Sequence, residues 1–287
     1  MYLVDGAPCD HLPVDDRGLQ FGDGLFETIA IVSGRPCLLE RHLARLVRGA
    51  EALSLPAPDL ERITADVTRL ATAGPGCGVV KVVWTAGSGG RGYARPDPVT
   101  PRRIVSRHPA PQHPASHWSD GITACLVTVP LARQPHLAGI KHLNRLEQTL
   151  ARAQWQGAGV AEGLMCDEGG RFIEGTMSNL FVVHGGCVVT PRLDECGIAG
   201  VMREAIMDKL AADGAPATEG EVTLETLQEA TEVFVCNSVN GVWPVRRIDG
   251  VGHWRVGPVS RRLLHWLDRE ALACTPAGRD EQRNGRA

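Results

Sequence analysis

A proline-dense stretch, HPAPQHPASHW, constrains the fold of this chain more than any other feature. It runs from His108 to Trp118 and carries three prolines and three histidines. Proline fixes φ and removes a backbone donor, so such a run favours an extended connector over a helix or an inner strand. It predicts one domain over residues 1–109, a linker over 110–119, a second domain over 120–273 and a disordered tail over 274–287. The residues after Cys274, TPAGRDEQRNGRA, are mostly polar. A length of 287 residues suits two modest domains.

On each side of the interruption, strand-like and helix-like apolar patterns alternate, which predicts an α/β (α+β) fold. In the first half, Tyr2–Val4, Leu25–Val32, Gly78–Ala86 and Arg102–His108 read as strands, with a turn at Ser33-Gly34. A helix starts near Glu40, with Leu43, Leu46, Val47, Ala50 and Leu53 on one face. A second follows Asp59, a suitable N-cap, with Leu60, Ile63, Val67 and Leu70 in helical spacing. In the second half, Gly121–Pro130, Glu162–Asp167, Arg171–Glu174, Asn179–Val183, Cys187–Thr190 and Glu232–Cys236 read as strands. Helices are expected after Asn144, with Leu146, Leu150 and Ala153 buried, and from Gly200, with Ile206 and Leu210 buried. Two more are expected after Thr223 and after Pro258, the last burying Leu263, Leu264 and Leu267.

Apolar residues make up 43% of the chain, enough for a substantial core, and the formal net charge is −3. Neither nucleic acid nor an anionic membrane is an expected partner. The nine cysteines form no CxxC pair, which argues for a reducing cytosol and against a disulfide framework or zinc site. The N-terminus shows no basic segment leading into an apolar run, and no apolar run approaches the ~20 residues of a membrane helix. The histidines of the linker have no carboxylate or cysteine at ligand spacing, so no metal is expected.

Several residues bear chemistry. Lys141 follows Ala138, Gly139 and Ile140 just ahead of a helix. It is either a solvated surface amine or one whose burial, or a nearby cation, lowers its ordinary pKa of ~10.4 and opens Schiff-base chemistry. Arg45 is either on a solvated helix face or an anion clamp, because a guanidinium matches phosphate oxygens as a fork. The glycine-rich GSGGRGYARP, Gly87–Pro96, is not a P-loop. It is either an ordinary hairpin loop or a mobile loop holding Arg91 and Tyr93 over a cleft, Arg91 meeting a substrate carboxylate. Glu174 is a solvated turn residue or the partner of a protonated ring nitrogen. The helix led by CGIAG either opens with free backbone N–H groups that bind an anion or is a helix cap with no ligand. Asn237 and Ser238, in the CNSVNG turn, either add to that anion site or simply make a turn.

Taken together, DRGLQFGDGLFET, HLARL, EGTMSNLF and the helix after PRLDECGIAG resemble the fold-type IV pyridoxal-phosphate enzymes, which include branched-chain and D-amino-acid aminotransferases and aminodeoxychorismate lyases. The likeness spans about Tyr2 to Leu272. KVVWTAGSGGRGY, PHLAGIKHLNRLEQTLAR and the VFVCNS turn look most like the lyases. The resemblance implies two α/β domains with pyridoxal 5'-phosphate in the cleft between them, a cytoplasmic homodimer, and some site loops completed across its interface. It implies that Lys141 carries the cofactor as a Schiff base and acts as base, and that Arg45 holds the phosphate from the first domain. Val201 and Met202 backbone, with Asn237 or Ser238, would hold it from the second, and Glu174 would pair with the pyridine nitrogen. Arg91, Tyr93 and Thr28 are the implied substrate contacts. The implied reaction converts 4-amino-4-deoxychorismate to pyruvate and 4-aminobenzoate, a folate precursor. The alternative is an aminotransferase acting on branched-chain, D-amino-acid or amine substrates. The lyases vary at the position of Glu27, and a carboxylate there also appears in aminotransferases. A reading of another class, a non-catalytic phosphate- or nucleotide-binding module built on GSGGRG, makes Lys141 incidental.

Overall fold

The computed structural model describes residues 1–74, 76–155, 157 and 159–276. They form two compact units. The first contains Met1–Pro111, Ile140–Asn144 and the segment from Ala271; the second contains Gln112–Gly139 and Arg145–Glu270. The lysine segment therefore groups with the first unit, not with the expected domain over 120–273. Backbone bonds explain this: Phe26 N–H donates to the Lys141 carbonyl (3.0 Å), and Leu143 N–H to the Gly24 carbonyl (3.0 Å).

In the first unit the elements are β1 (Tyr2–Val4), β2 (Ala7–Pro8), α1 (Arg17–Phe21), β3 (Gly24–Val32), β4 (Arg35–Pro36), α2 (Leu39–Ala52), α3 (Leu60–Thr72), β5 (Gly78–Thr85) and β6 (Arg102–Pro109). Six strands make an antiparallel sheet in the order β2-β1-β6-β5-β3-β4. Alternation decides which residues face inward. Leu25, Ile29 and Ile31 of β3, Val80 and Val82 of β5 and Val105 of β6 pack with Leu46, Ala50, Ile63, Val67 and Leu70 of α2 and α3. Each such large side chain contributes about 1.5–3 kcal/mol by leaving water. Asp59 caps α3 as its sequence suggests, its carboxylate accepting from Arg62 N–H. The short helix α1 was not legible in DRGLQFGDG, where glycine signals a turn rather than a helix. Asp16 starts it by accepting from Gly18 N–H, and Gly22 ends it at φ +64°.

The second unit holds α4 (Ser116–Ser119), β7 (Ile122–Leu126), α5 (Leu146–Arg152), β8 (Val160–Cys166), β9 (Phe172–Gly175), β10 (Asn179–His184), β11 (Cys187–Pro191), α6 (Val201–Ala212), β12 (Thr218–Gly220), α7 (Leu224–Gln228), β13 (Glu232–Asn237), β14 (Gly241–Ile248), β15 (Gly252–His253) and α8 (Pro258–Arg269). The strand order is β12-β11-β10-β13-β14-β7-β8-β9, with β15 on β14. β9 also pairs with β10 through Glu174 and Asn179, so strands β10, β13, β14, β7, β8 and β9 return on themselves as a ring. Glu174 thus sits at the closure of that ring.

Several expectations need correction. The linker is helical at its end, because α4 carries Trp118 into the core, where its indole N–H donates to the Asn240 carbonyl at 2.8 Å. Leu146 and Leu150 are 69% and 53% exposed, and α5 buries Gln148 and Ala151 instead. The expected Gly121–Pro130 strand is shorter, Ile122–Leu126. β14 was not read at all, because Pro244 argues against an inner strand. Its pairing with β7 begins only at Val245, beyond the residue that lacks a donor. The tail starts later than Cys274: Cys274 and Thr275 are buried, and residues 277–287 lie outside the described residues. No helix among the described residues is long and apolar enough to cross a membrane.

Candidate functional site

In the first unit, β3 supplies two functions from adjacent residues, because consecutive side chains leave a strand on opposite faces. Phe26 lies under the lysine amine: Lys141 Nζ is 4.2 Å from its ring centroid, and Lys81 Nζ is 5.2 Å from the same centroid. An aromatic face attracts ammonium groups through its quadrupole. Thr28, half-buried, lies two residues on and pairs with Lys81 across the sheet. The intervening Glu27 faces α2. It is 2% exposed and accepts from Arg45 Nε (2.8 Å) and Nη2 (2.5 Å) and from His42 Nδ1 (2.5 Å).

Helical spacing brings His42 and Arg45 to one carboxylate, being three residues apart on α2. Burial alone would raise the Glu27 pKa, but the Arg45 charge and the bonds from Arg45 and His42 overrule it and hold the carboxyl down at about 2. His42 moves the other way. Burial lowers its pKa, Arg45 and Lys141 add to that, and the Glu27 carboxylate opposes it. The imidazole is therefore neutral, with Nδ1–H donating to Glu27. Its buried Nε2 has no hydrogen-bond partner among the described residues. Arg45 is accordingly not the solvated face residue of the bland reading: it is 7% exposed and bound as a fork to Glu27.

The glycine-rich loop is tethered, contrary to the expectation of mobility. Arg17 of α1 donates to the carbonyls of Gly89, Gly92, Tyr93 and Ala94. Arg91 is exposed and Tyr93 is 90% exposed. Sequence reading missed Arg17, Asp23 and Arg95 as the anchors. The signal available was the DRGLQFGDG segment itself, whose arginine and acids lie among its glycines.

In the second unit, Glu174 is 3% exposed, and its Oε2 accepts from Ile198 N–H at 2.8 Å. Asn179, its partner in the strand pairing, donates through Nδ2 to the Ile198 carbonyl at 2.8 Å. The same residues fix the start of α6. Gly200 is its N-cap, and no side-chain cap bond is made to its first turn. A Cβ on Gly200 would lie 1.9 Å from Asn179 Oδ1, so a larger residue there would displace the Asn179 side chain. Val201 and Met202 are buried and begin the helix. Asn237 is differently used: its Oδ1 accepts from Val239 N–H (3.0 Å) and Asn240 N–H (2.8 Å), shaping the turn between β13 and β14. Ser238 is half-buried in that turn. Sequence reading also missed Glu162, whose carboxylate is fully buried and accepts from Thr176 and Ser178 hydroxyls (both 2.6 Å) and from Gly163 N–H. It sets the turn between β9 and β10.

A buried carboxylate with one oxygen already hydrogen-bonded suits a cationic ring nitrogen. A helix start opened by a glycine suits a phosphate, and a lysine amine over an aromatic ring suits an aldehyde. Each of these groups fits one part of pyridoxal phosphate.

Comparison with known proteins agrees. Residues 24–248 match the family described as amino-transferase class IV. The chain belongs to the class IV aminotransferase family. Among its relatives, an aminodeoxychorismate lyase from Vibrio harveyi is 35% identical over 266 residues, covering 92% of this chain and 98% of the relative. A putative branched-chain-amino-acid aminotransferase from Methanocaldococcus jannaschii is 30% identical, covering 87% and 88% of the two chains. The crystal structure of 4-amino-4-deoxychorismate lyase from Pseudomonas aeruginosa superposes with a TM-score of 0.90 at 47% identity, covering 94% of this chain and 99% of that one. The two-unit mixed α/β architecture is thus that of fold-type IV enzymes, and class IV members of both activities share it.

Proposed function

We propose that this class IV enzyme is an aminodeoxychorismate lyase that uses pyridoxal 5'-phosphate to convert 4-amino-4-deoxychorismate to 4-aminobenzoate and pyruvate. The observation that carries the reading is the 47% identity to the Pseudomonas lyase over nearly the whole length of both chains. The lysine, the buried Glu174 and the glycine-opened α6 give it a chemical basis. When bound, the cofactor supplies an electron sink for negative charge on the carbon beside a substrate amine.

The chain's own residues do the rest. Lys141 Nζ is the covalent anchor and then the base that accepts the proton from the amine-bearing ring carbon. Phe26 beneath that amine limits where it can reach. Glu174, oriented by Ile198 N–H, keeps a ring nitrogen protonated. Arg45, its charge shared with Glu27, and the first backbone N–H groups of α6 at Val201 and Met202 hold the phosphate, with Asn237 or Ser238 adding a polar contact. Arg91, Tyr93 and Thr28 contact the substrate, Arg91 meeting a carboxylate. Departure of the enolpyruvyl group leaves an aromatic ring, so most of the driving force lies in the substrate and the protein mainly positions the base. In this reading the enzyme is a cytoplasmic homodimer that supplies a folate precursor.

A second activity, amine exchange with a keto acid, is favoured by the Glu27–Arg45 pair, since a carboxylate at position 27 also appears in aminotransferases. Incubating the purified enzyme with cofactor and 4-amino-4-deoxychorismate, without any keto acid, tests the proposal. Formation of 4-aminobenzoate supports the lyase. Transfer of the substrate amine to an added keto acid, with no 4-aminobenzoate formed, overturns it.

A further inference from the structure

One buried guanidinium binds four carbonyls of the loop carrying Arg91 and Tyr93. Arg17 is 3% exposed. Its Nη1 donates to the carbonyls of Gly92 (3.2 Å), Ala94 (3.2 Å) and Gly89 (3.4 Å), and its Nη2 to that of Tyr93 (3.2 Å). Gly89, Gly90 and Gly92 have φ values of +101°, +81° and +58°, so the loop has no regular ladder to satisfy those carbonyls. The arginine replaces the ladder.

Arg17 is itself fixed at three points, two of them on the guanidinium. Its Nε donates to Asp23 Oδ2 at 3.0 Å, and its Cζ lies 4.9 Å from the Phe21 ring centroid. Its backbone N–H donates to the Gly87 carbonyl at 2.8 Å. Asp23 also binds Arg95, which leaves the far end of the loop and donates to the carbonyls of Leu53 (2.8 Å) and Ser54 (3.0 Å). Burial acts against ionisation of Asp23, but its bonds to Arg95 and Arg17 outweigh that and lower its pKa. The Phe21 and Tyr93 rings then meet at 5.7 Å. The carbonyls of the loop are engaged by Arg17, while the Arg91 and Tyr93 side chains remain exposed.

We propose that Arg17 is a positioning residue for substrate recognition, presetting the loop so that Arg91 and Tyr93 need not be ordered when substrate arrives. The inference rests on the reading of Arg91 and Tyr93 as substrate contacts. Ordering a flexible loop costs free energy that would be subtracted from binding, so presetting shows in KM rather than in the chemical step. Lysine cannot substitute, because its three donors diverge from a point and do not match a planar fork of five.

The test uses the full-length enzyme with cofactor and compares wild type with Arg17→Met, Arg17→Lys and Arg91→Ala. Arg17→Met is expected to raise KM about tenfold or more with kcat within about threefold, and to speed amide exchange of residues 89–95. Arg17→Lys should behave like Arg17→Met, and it carries the test if the methionine variant does not fold. Faster exchange in the loop with an unchanged KM, while Arg91→Ala raises KM, overturns the positioning role. Full recovery by Arg17→Lys also overturns it, since charge alone would then suffice. An unchanged KM in Arg91→Ala removes the substrate-contact reading on which the inference stands.

Discussion

Replacing Glu27 by glutamine removes one charge from a buried cluster and almost no volume. The carboxylate is 2% exposed and is the shared acceptor of Arg45 and His42. A carboxyl held at about 2 instead of its ordinary 4.5 stabilises the folded state by about 3 kcal/mol at neutral pH, at about 1.4 kcal/mol per pH unit. Leaving the Arg45 guanidinium buried without its counter-charge costs about 3–5 kcal/mol in comparable pairs. The two routes agree, so Glu27→Gln is expected to destabilise the first unit by about 3 kcal/mol. The measure is native-state hydrogen exchange of β3 and β5 amides, which reports the opening of that unit. The double variant Glu27→Leu with Arg45→Met, which removes both charges, should recover most of the loss. The pH dependence has a definite sign. Because the folded pKa of Glu27 is depressed, its stabilisation is complete above pH 4.5 and fades as pH falls from 4.5 toward 2. His42 is also depressed, so acid favours the unfolded chain from its ordinary 6.5 downward. A Glu27→Gln protein within about 0.5 kcal/mol of wild type would refute this description of the cluster.

Three further outcomes are expected. Lys141→Ala should abolish the borohydride-sensitive absorption band near 410–430 nm that a lysine-bound pyridoxal cofactor gives, measured on protein saturated with cofactor; a retained band would point to another lysine. Glu174→Gln should keep the band yet lower kcat by on the order of 100-fold, because a preorganised charge partner of the reacting group is lost; full activity would dismiss the ring-nitrogen role. Gly200→Ala would push a methyl against Asn179 Oδ1, where only 1.9 Å is available. It should weaken pyridoxal phosphate about tenfold while leaving pyridoxal, which lacks the phosphate, almost unaffected. Equal weakening of both in a binding titration would place the phosphate elsewhere.

The elements that depend on local chemistry were legible in the sequence. The β3 and β5 runs, the Asp59 cap of α3 and the Ser33-Gly34 turn between β3 and β4 all follow from alternation, capping or positive φ. What escaped depended on distant partners. The helix α1 exists because Asp16 is also held by the Thr85 hydroxyl at 3.1 Å, far along the chain. Strand β14 tolerates Pro244 because its parallel neighbour starts one residue later. The exposure of Leu146 and Leu150 follows from α5 presenting Gln148 and Ala151 inward, which helical spacing alone does not choose. In the candidate site, Lys141, Arg45 and Glu174 stood out by residue type and segment. Their supports, Phe26, His42 and Ile198, did not, because an apolar residue or a helical histidine carries no signal until packing places it.

The central claim is that this chain eliminates rather than exchanges. It is tested most directly by measuring both products at once from 4-amino-4-deoxychorismate, with pyridoxal phosphate present and every keto acid excluded. A lyase gives pyruvate and 4-aminobenzoate in equal amounts over many turnovers, and the Lys141→Ala protein gives neither. Turnover that stops after one equivalent per subunit and resumes only on adding a keto acid would contradict it.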